Sequence, residues 1–145
     1  MRVTVLNGPN LNLLGTREPA IYGTATLADI EAMLRTEAAR LGASLRFLQT
    51  NHEGTLVDEI QALAGTADGL ILNAAAYSHS SLAIRDALLA VAVPFVEVHL
   101  TDVASREPAR RQLLFADLAL TVITGKGPEG YRLGLQALCR HLGAR

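Results

Sequence analysis

The stretch GLILN, residues 69–73, is a nearly continuous apolar run in the middle of the chain. Such a run is typical of a strand buried on both faces, as in a parallel sheet that helices cover on each side. Apolar residues recur at helical spacing before and after it, which predicts helices over 54–64 and 80–92. A strand between two helices indicates βαβ units, whose crossovers should be right-handed.

The same alternation continues toward both ends of the chain. It predicts four further strands and two further helices, the strands over 3–7, 44–49, 94–99 and 119–124 and the helices over 26–41 and 128–142. Thr26 and Asp29 have the spacing of a capping box at the start of the first of these helices. We therefore predict one α/β domain spanning residues 1–145, with a flavodoxin-like doubly wound five-stranded parallel sheet of order 2-1-3-4-5.

The composition disfavours several classes of protein. A net charge of −1 gives no broad attraction to nucleic acid or to an anionic membrane surface. No apolar run reaches the roughly 18 residues that a membrane-spanning helix needs. The single cysteine, Cys139, excludes an intrachain disulfide, fits a reducing cytoplasm and is predicted to be a packed residue of the last helix. The single lysine, Lys126, lies between two glycines, which disfavours Schiff-base catalysis.

Polar side chains stand where the predicted strands end. Asn7 and Asn10 follow the first strand, Asn73 ends the third, and Glu97 and His99 lie in the fourth. A doubly wound sheet binds its ligands outside the carboxyl ends of its strands, so these side chains are candidates for one site. The turn NGPNLN lacks the glycine spacing of a dinucleotide-binding loop.

Two histidines are candidates for acid–base chemistry or binding. Glu97 and His99 are two residues apart in a strand and share a face, so the carboxylate can stabilise a charged imidazole that acts as general acid or base. The alternative is an exposed pair at a strand end. His79 precedes a helix, where backbone N–H groups favour anions, and is predicted to contact a substrate hydroxyl or carboxylate. Its alternative is a polar loop residue beside a capping Ser80 or Ser81.

The histidines do not have the spacing of a metal site. None of the four forms an H-x-x-x-H pair or a Cys–His pair, and they lie at His52, His79, His99 and His141. No metal ligand is therefore predicted.

Basic residues cluster in the segment SREPARRQ. Arg106 and Arg110 are four apart, so both would face one ligand if the segment forms a helical turn, and Arg111 follows them. Arginine binds carboxylates through two parallel hydrogen bonds. The alternative is a solvated basic face.

The connection NLLGTREPAIYG, residues 12–23, carries Arg17 and Tyr22. A connection of more than about 12 residues is uncommon in a small domain and is often a functional lid, so we call residues 12–23 the lid segment. A guanidinium close to a tyrosine favours the phenolate, which is a base. The alternative is a long connection whose tyrosine packs on the sheet edge.

Five segments, taken in order, resemble those of type II 3-dehydroquinate dehydratase and together cover nearly the whole chain: NGPNLNLLGTREPAIYG, QTNHEGTLVDEIQ, ILNAAAYSHSSLAIRDAL, VEVHLTDVASREPARR and GYRLGLQAL. The resemblance implies trans-elimination of water from 3-dehydroquinate to give 3-dehydroshikimate through an enolate. The reaction would serve the shikimate pathway of aromatic amino acid biosynthesis or quinate catabolism. The resemblance also implies no cofactor, no metal and a cytoplasmic homododecamer built as a tetramer of trimers.

The resemblance assigns the catalytic roles by position. Tyr22 is then the base that removes the C2 proton, and Arg17 favours its phenolate. His99 is the acid that protonates the leaving hydroxyl, with Glu97 behind it. Asn10 holds a water against the enolate oxygen. The substrate-binding positions are Asn73, His79, Asp86, Leu100, Thr101, Arg106 and Arg110, of which the aspartate reaches a neighbouring subunit's site and the leucine and threonine form a carboxylate-binding turn.

The chain departs from the family pattern mainly after His99. Thr101 and Asp102 stand where the family usually has Ser-Asn, Ala104 replaces a common histidine, and the run 109–114 is atypical. A glycine usual in the last strand is Thr121. These changes leave assembly and substrate affinity open, and a non-catalytic relative that binds a related cyclitol acid is the alternative. A flavin-binding or receiver domain is a third, less favoured interpretation.

Overall fold

A five-stranded parallel sheet forms the centre of the protein in the computed structural model, which describes residues 1–16 and 18–144. Its strands are β1 (Arg2–Asn7), β2 (Ser44–Gln49), β3 (Gly69–Asn73), β4 (Phe95–Val98) and β5 (Thr121–Ile123). They lie in the order β2-β1-β3-β4-β5, and every neighbouring pair is parallel. The predicted order and orientation are confirmed.

Helices cover both faces of the sheet. They are α1 (Pro19–Tyr22), α2 (Leu27–Leu41), α3 (Glu53–Gln61), α4 (Leu82–Val91) and α5 (Glu129–Gly143). α2 and α5 share one apolar core with the sheet, and α3 and α4 share the other. In β3, Ile71 faces the first core while Leu70 and Leu72 face the second, and all three are fully buried. The apolar run that predicted the fold is therefore the strand that both layers cover.

One predicted helix start is confirmed by the structure, and another begins later than predicted. The capping box is confirmed, because the Thr26 side chain accepts from the Asp29 N–H and the Asp29 carboxylate accepts from the Thr26 N–H. α4 begins two residues later than predicted, because the Ser81 hydroxyl caps it by accepting from the Ile84 N–H.

Cys139 is buried in α5, as predicted. Among the described residues, no helix combines the length and apolar character needed to cross a membrane.

The β5 strand is shorter than the predicted range 119–124. The chain first makes a 3-10 turn at Ala116–Leu118, and pairing with β4 begins only at Thr121. The backbone of the β5–α5 loop then returns to the end of β4, where the Gly125 N–H donates to the Thr101 carbonyl and the Gly127 N–H donates to the Leu100 carbonyl. The loop thus supports the turn that follows β4.

Candidate active site

A cavity opens at the carboxyl ends of β1, β3 and β4. Asn10, Asn73, His79 and His99 line it together with Tyr22, and so do Leu100, Thr101, Arg106 and Arg110. The structure therefore brings together nine of the twelve residues that sequence and resemblance assign to the site. Glu97 lies behind this lining, Asp86 lies outside it and Arg17 falls outside the described residues.

The turn after β1 places Asn10 beside the end of β3. Gly8 is required there, because a Cβ at this position would lie 2.4 Å from the Ala74 carbonyl oxygen. Asn10 itself has a left-handed backbone with φ 68°, and its N–H donates to Asn51 Oδ1 at 3.0 Å. Gln49 Nε2 donates to the same oxygen at 3.1 Å and to the Gly8 carbonyl at 3.2 Å. Asn51 thus holds the turn, a role that no sequence pattern indicated.

Glu97 and His99 form a buried pair. His99 Nε2 lies 2.5 Å from Glu97 Oε2, and the two side chains are 5% and 0% exposed. The alternative of an exposed pair at a strand end is therefore wrong. The carboxylate accepts from Nε2, and Glu97 Oε1 has no hydrogen-bond partner among the described residues. A buried carboxylate is costly unless it is paired, and His99 Nε2 supplies that pairing for Glu97.

His79 stacks against His99, with ring centroids 6.2 Å apart. His79 Nδ1 lies 2.9 Å from the Gln112 carbonyl oxygen, which only accepts, so Nδ1 carries a hydrogen. Burial lowers the pKa of His79, and the nearby charges of His99 and Arg110 lower it further. The neutral ring then has its lone pair on Nε2, which suits a hydroxyl donor better than a carboxylate. The helix cap beside it is Ser81.

Tyr22 and Arg106 meet across the cavity. Tyr22 is half-buried in α1, and Arg106 Nη1 donates to its hydroxyl oxygen at 3.4 Å and to Thr101 Oγ1 at 3.3 Å. The guanidinium carbon lies 5.7 Å from the centre of the tyrosine ring. This hydrogen bond is the main reason that the pKa of Arg106 is raised above its ordinary value. A permanent positive charge therefore faces the tyrosine oxygen.

Arg106 and Arg110 both line the cavity, although they do not lie on one helical turn. Arg106 has an extended backbone, and only Pro108–Arg110 makes a 3-10 turn. Pro108 disfavours a helical conformation in Glu107, the residue before it, so no helix runs from Arg106 to Arg110. Arg111 does not line the cavity, and its Nε donates to the Arg106 carbonyl.

The atypical run 109–114 supports the cavity through its backbone. The Gln112 carbonyl holds His79, and the Leu114 N–H donates to the Ser78 carbonyl at 2.9 Å. Asp102 uses a carboxylate oxygen to cap the next turn, accepting from the Ala104 N–H at 3.2 Å. The contacts that Gln112 and Leu114 make use their backbone groups, so they do not depend on which side chains the run carries.

Asp86 is exposed on α4 and does not line the cavity of its own chain. Leu82 and Leu89, on the same face of the helix, are 63% and 52% exposed.

Within residues 1–16 and 18–144, no three side chains of the metal-binding types come together.

Comparison with known proteins gives a consistent answer. Residues 1–139 match the family model described as dehydroquinase class II. The chain is 54% identical over 142 residues to 3-dehydroquinate dehydratase of Gemmatimonas aurantiaca, covering 98% of this chain and 93% of that one. It is 53% identical over 134 residues to catabolic 3-dehydroquinase 1 of Aspergillus terreus, covering 92% and 88%.

A solved structure agrees with the sequence matches. Type II dehydroquinase from Butyrivibrio crossotus superposes with a TM-score of 0.93 at 36% identity, covering 95% of this chain and 97% of that one. Fold, cavity and sequence thus point the same way, and this chain belongs to the class II dehydroquinase family.

Proposed function

We propose that this protein catalyses the trans-elimination of water from 3-dehydroquinate to give 3-dehydroshikimate. The observation that carries the proposal is the pairing, across one cavity, of a buried Glu97–His99 dyad with a tyrosine whose oxygen accepts a hydrogen bond from arginine. One group is suited to give a proton and the other to take one. A cyclitol-binding protein has no use for such a pair.

Tyr22 is the proposed base for the C2 proton. Its oxygen becomes an effective base as phenolate, and the Arg106 guanidinium at 3.4 Å stabilises that anion. Arg106 therefore shares the role assigned to Arg17. Removal of the C2 proton places negative charge on the oxygen of the adjacent ketone, giving an enolate.

His99 is the proposed acid for the leaving C1 hydroxyl. Glu97 accepts from Nε2 and stabilises the imidazolium, so Nδ1–H is the proton that reaches the leaving oxygen. Asn10 holds a water against the enolate oxygen, where a hydrogen bond stabilises charge as it develops. Elimination then yields the conjugated enone and water.

Binding of the substrate falls to the rest of the lining. The backbone of Leu100 and Thr101 is proposed to hold the carboxylate, beside Asn73 and Arg110. Neutral His79 accepts from a ring hydroxyl through Nε2, in keeping with its lowered pKa.

The assembly and location are also proposals. A cytoplasmic homododecamer, built as a tetramer of trimers, would cover the exposed Leu82 and Leu89 and bring Asp86 to a neighbouring subunit's site. The same reaction serves the shikimate pathway or quinate catabolism, and the relative from Aspergillus terreus is named as a catabolic enzyme.

Turnover of 3-dehydroquinate in the presence of chelator is the decisive assay, followed by the ultraviolet absorbance of the enone. Borohydride with substrate is tested in parallel, since it would trap an imine. We expect the rate of enone formation to be unchanged by chelator, and unchanged after the protein is treated with borohydride and substrate. A folded protein that binds 3-dehydroquinate without forming enone would contradict the proposal and favour a binding relative.

A further inference from the structure

The hydroxyl of Tyr131 lies between two asparagine side chains beneath the cavity. Tyr131 is in the first turn of α5, is fully buried and is not part of the cavity lining. Its oxygen is 2.7 Å from Asn7 Oδ1 and 2.8 Å from Asn73 Nδ2, so one hydroxyl links the ends of β1 and β3.

The donor and acceptor of each hydrogen bond between Asn7, Tyr131 and Asn73 follow from the other hydrogen bonds that the two asparagines make. Asn7 Nδ2 donates to the Leu48 carbonyl at 3.0 Å, which leaves Asn7 Oδ1 facing the tyrosine. An amide oxygen only accepts, so Tyr131 must give its one hydrogen to Asn7. The tyrosine oxygen therefore accepts, and Asn73 must present its nitrogen to it.

The hydrogen bond between Asn73 and Ala75 requires the same orientation of the Asn73 amide. Asn73 Oδ1 accepts from the Ala75 N–H at 3.1 Å, a group that can only donate. Asn73 Nδ2 carries a second hydrogen, and it makes no other hydrogen bond among the residues that the structure describes. Asn73 lines the cavity, so what it offers a ligand is this N–H.

We propose that Tyr131 is a positioning residue, which fixes the Asn73 amide so that it presents a donor, and never its oxygen, to the substrate. The site then selects an acceptor oxygen at this point, as a carboxylate or a ketone supplies. A flipped amide would place an oxygen there and repel the same group. This inference rests on the proposed function for its readout.

The buried position of Tyr131 keeps the arrangement constant. Burial raises the pKa of Tyr131 because the phenolate would lose its solvation, so the hydroxyl stays neutral and keeps its hydrogen. Phenylalanine has nearly the same shape but neither donates nor accepts here.

The test is Tyr131→Phe in the dehydration assay. We expect KM for 3-dehydroquinate to rise about tenfold, the usual scale of one buried hydrogen bond, while kcat changes less than about threefold. Thr36→Val is the control, because it also removes one hydroxyl hydrogen bond with little change of shape, to the Ala32 carbonyl at 3.2 Å, and Thr36 lies on α2 away from the cavity. Its KM should stay within about twofold of wild type.

A double variant separates positioning from a general loss of packing. If Tyr131 acts through Asn73, then Tyr131→Phe adds nothing to the KM of Asn73→Ala, whereas independent effects multiply. Asn7→Ala is the second probe and decides if Tyr131→Phe fails to fold. It frees the tyrosine hydrogen to turn toward Asn73, and KM should rise in the same direction.

The outcomes distinguish this inference from the proposed function. Turnover by wild type with an unchanged KM in Tyr131→Phe, or with multiplying effects in the double variant, overturns the inference and leaves the function standing. Absence of turnover by wild type overturns both.

Discussion

The two halves of the candidate site are built differently. The functional side chains at the carboxyl end of the sheet are buried, and Glu97, His99 and Asn73 are each at most 5% exposed. The lid segment carries Tyr22 on α1, a helix of four residues with no fully buried side chain. The proposed acid is thus preformed in the core, whereas the proposed base depends on a short surface element.

The short helix has little stability of its own. One turn of helix is unfavourable in isolation, because nucleation fixes several residues for few hydrogen bonds. Pro19 begins α1 and Gly23 ends it with φ 78°, so both ends are set by backbone conformation. The contact between Arg106 and Tyr22 ties this element to the β4 side of the cavity. Such an element can admit substrate and then exclude water from the base.

The largest effect is expected from Tyr22→Phe. The variant keeps the ring over Arg106 and removes the proposed base, so kcat should fall about 10³-fold, within the range for general base catalysis. Binding of 3-dehydroquinate, measured by calorimetry, should change less than about threefold. An unchanged kcat would remove Tyr22 from the mechanism. The Thr36→Val variant is the control for a hydroxyl lost away from the cavity.

The sheet and its layers were predictable because every element repeats a local signal. The run at 69–73 is apolar throughout, and Thr26 with Asp29 marks a helix start by short-range spacing. Strand order also followed, since short connections and right-handed crossovers leave few topologies. Element ends were less predictable, because they depend on contacts such as the Ser81 cap and the pairing of β5 with β4.

The site was predictable only where residues are close in sequence or match a family motif. Glu97 and His99 are two apart in one strand, so their pairing follows from strand geometry. Tyr131 meets Asn73 across 58 positions, and nothing local to either marks that contact. Arg106 and Arg110 both line the cavity, but without the helical turn that their spacing would allow, because Pro108 lies between them.

A smaller effect is expected from Glu97→Gln in the buried half. The substitution keeps the shape and removes the charge that stabilises the His99 imidazolium, so kcat should fall about 10²-fold, at the lower end for acid catalysis. Glu59→Gln is the matched control, because Glu59 also pairs with a cation, Arg46, but lies away from the cavity. Equal kcat values in the two variants would mean that Glu97 has no part in the acid's charge.

The smallest effect is expected from relieving backbone strain in the turn that follows β3. Ala75 lines the cavity with φ 51°, a left-handed conformation that costs an L-residue about 1 kcal/mol. Ala92, the exposed cap of α4, has φ 55° and no part in the cavity. Glycine at Ala92 should raise the free energy of unfolding by about 1 kcal/mol, measured by urea denaturation, without changing kcat/KM.

Ala75→Gly should stabilise the protein less than Ala92→Gly, because the half-buried Ala75 methyl packs on the core and removing it costs about 0.8 kcal/mol. The freed backbone should also lower kcat/KM a few-fold, since the turn that carries His79 begins at Ala75. If both variants gain equal stability and keep full activity, the strain at Ala75 does not serve the site. If only Ala75→Gly loses activity, the position of His79 in the buried half of the site depends on the strained backbone of Ala75.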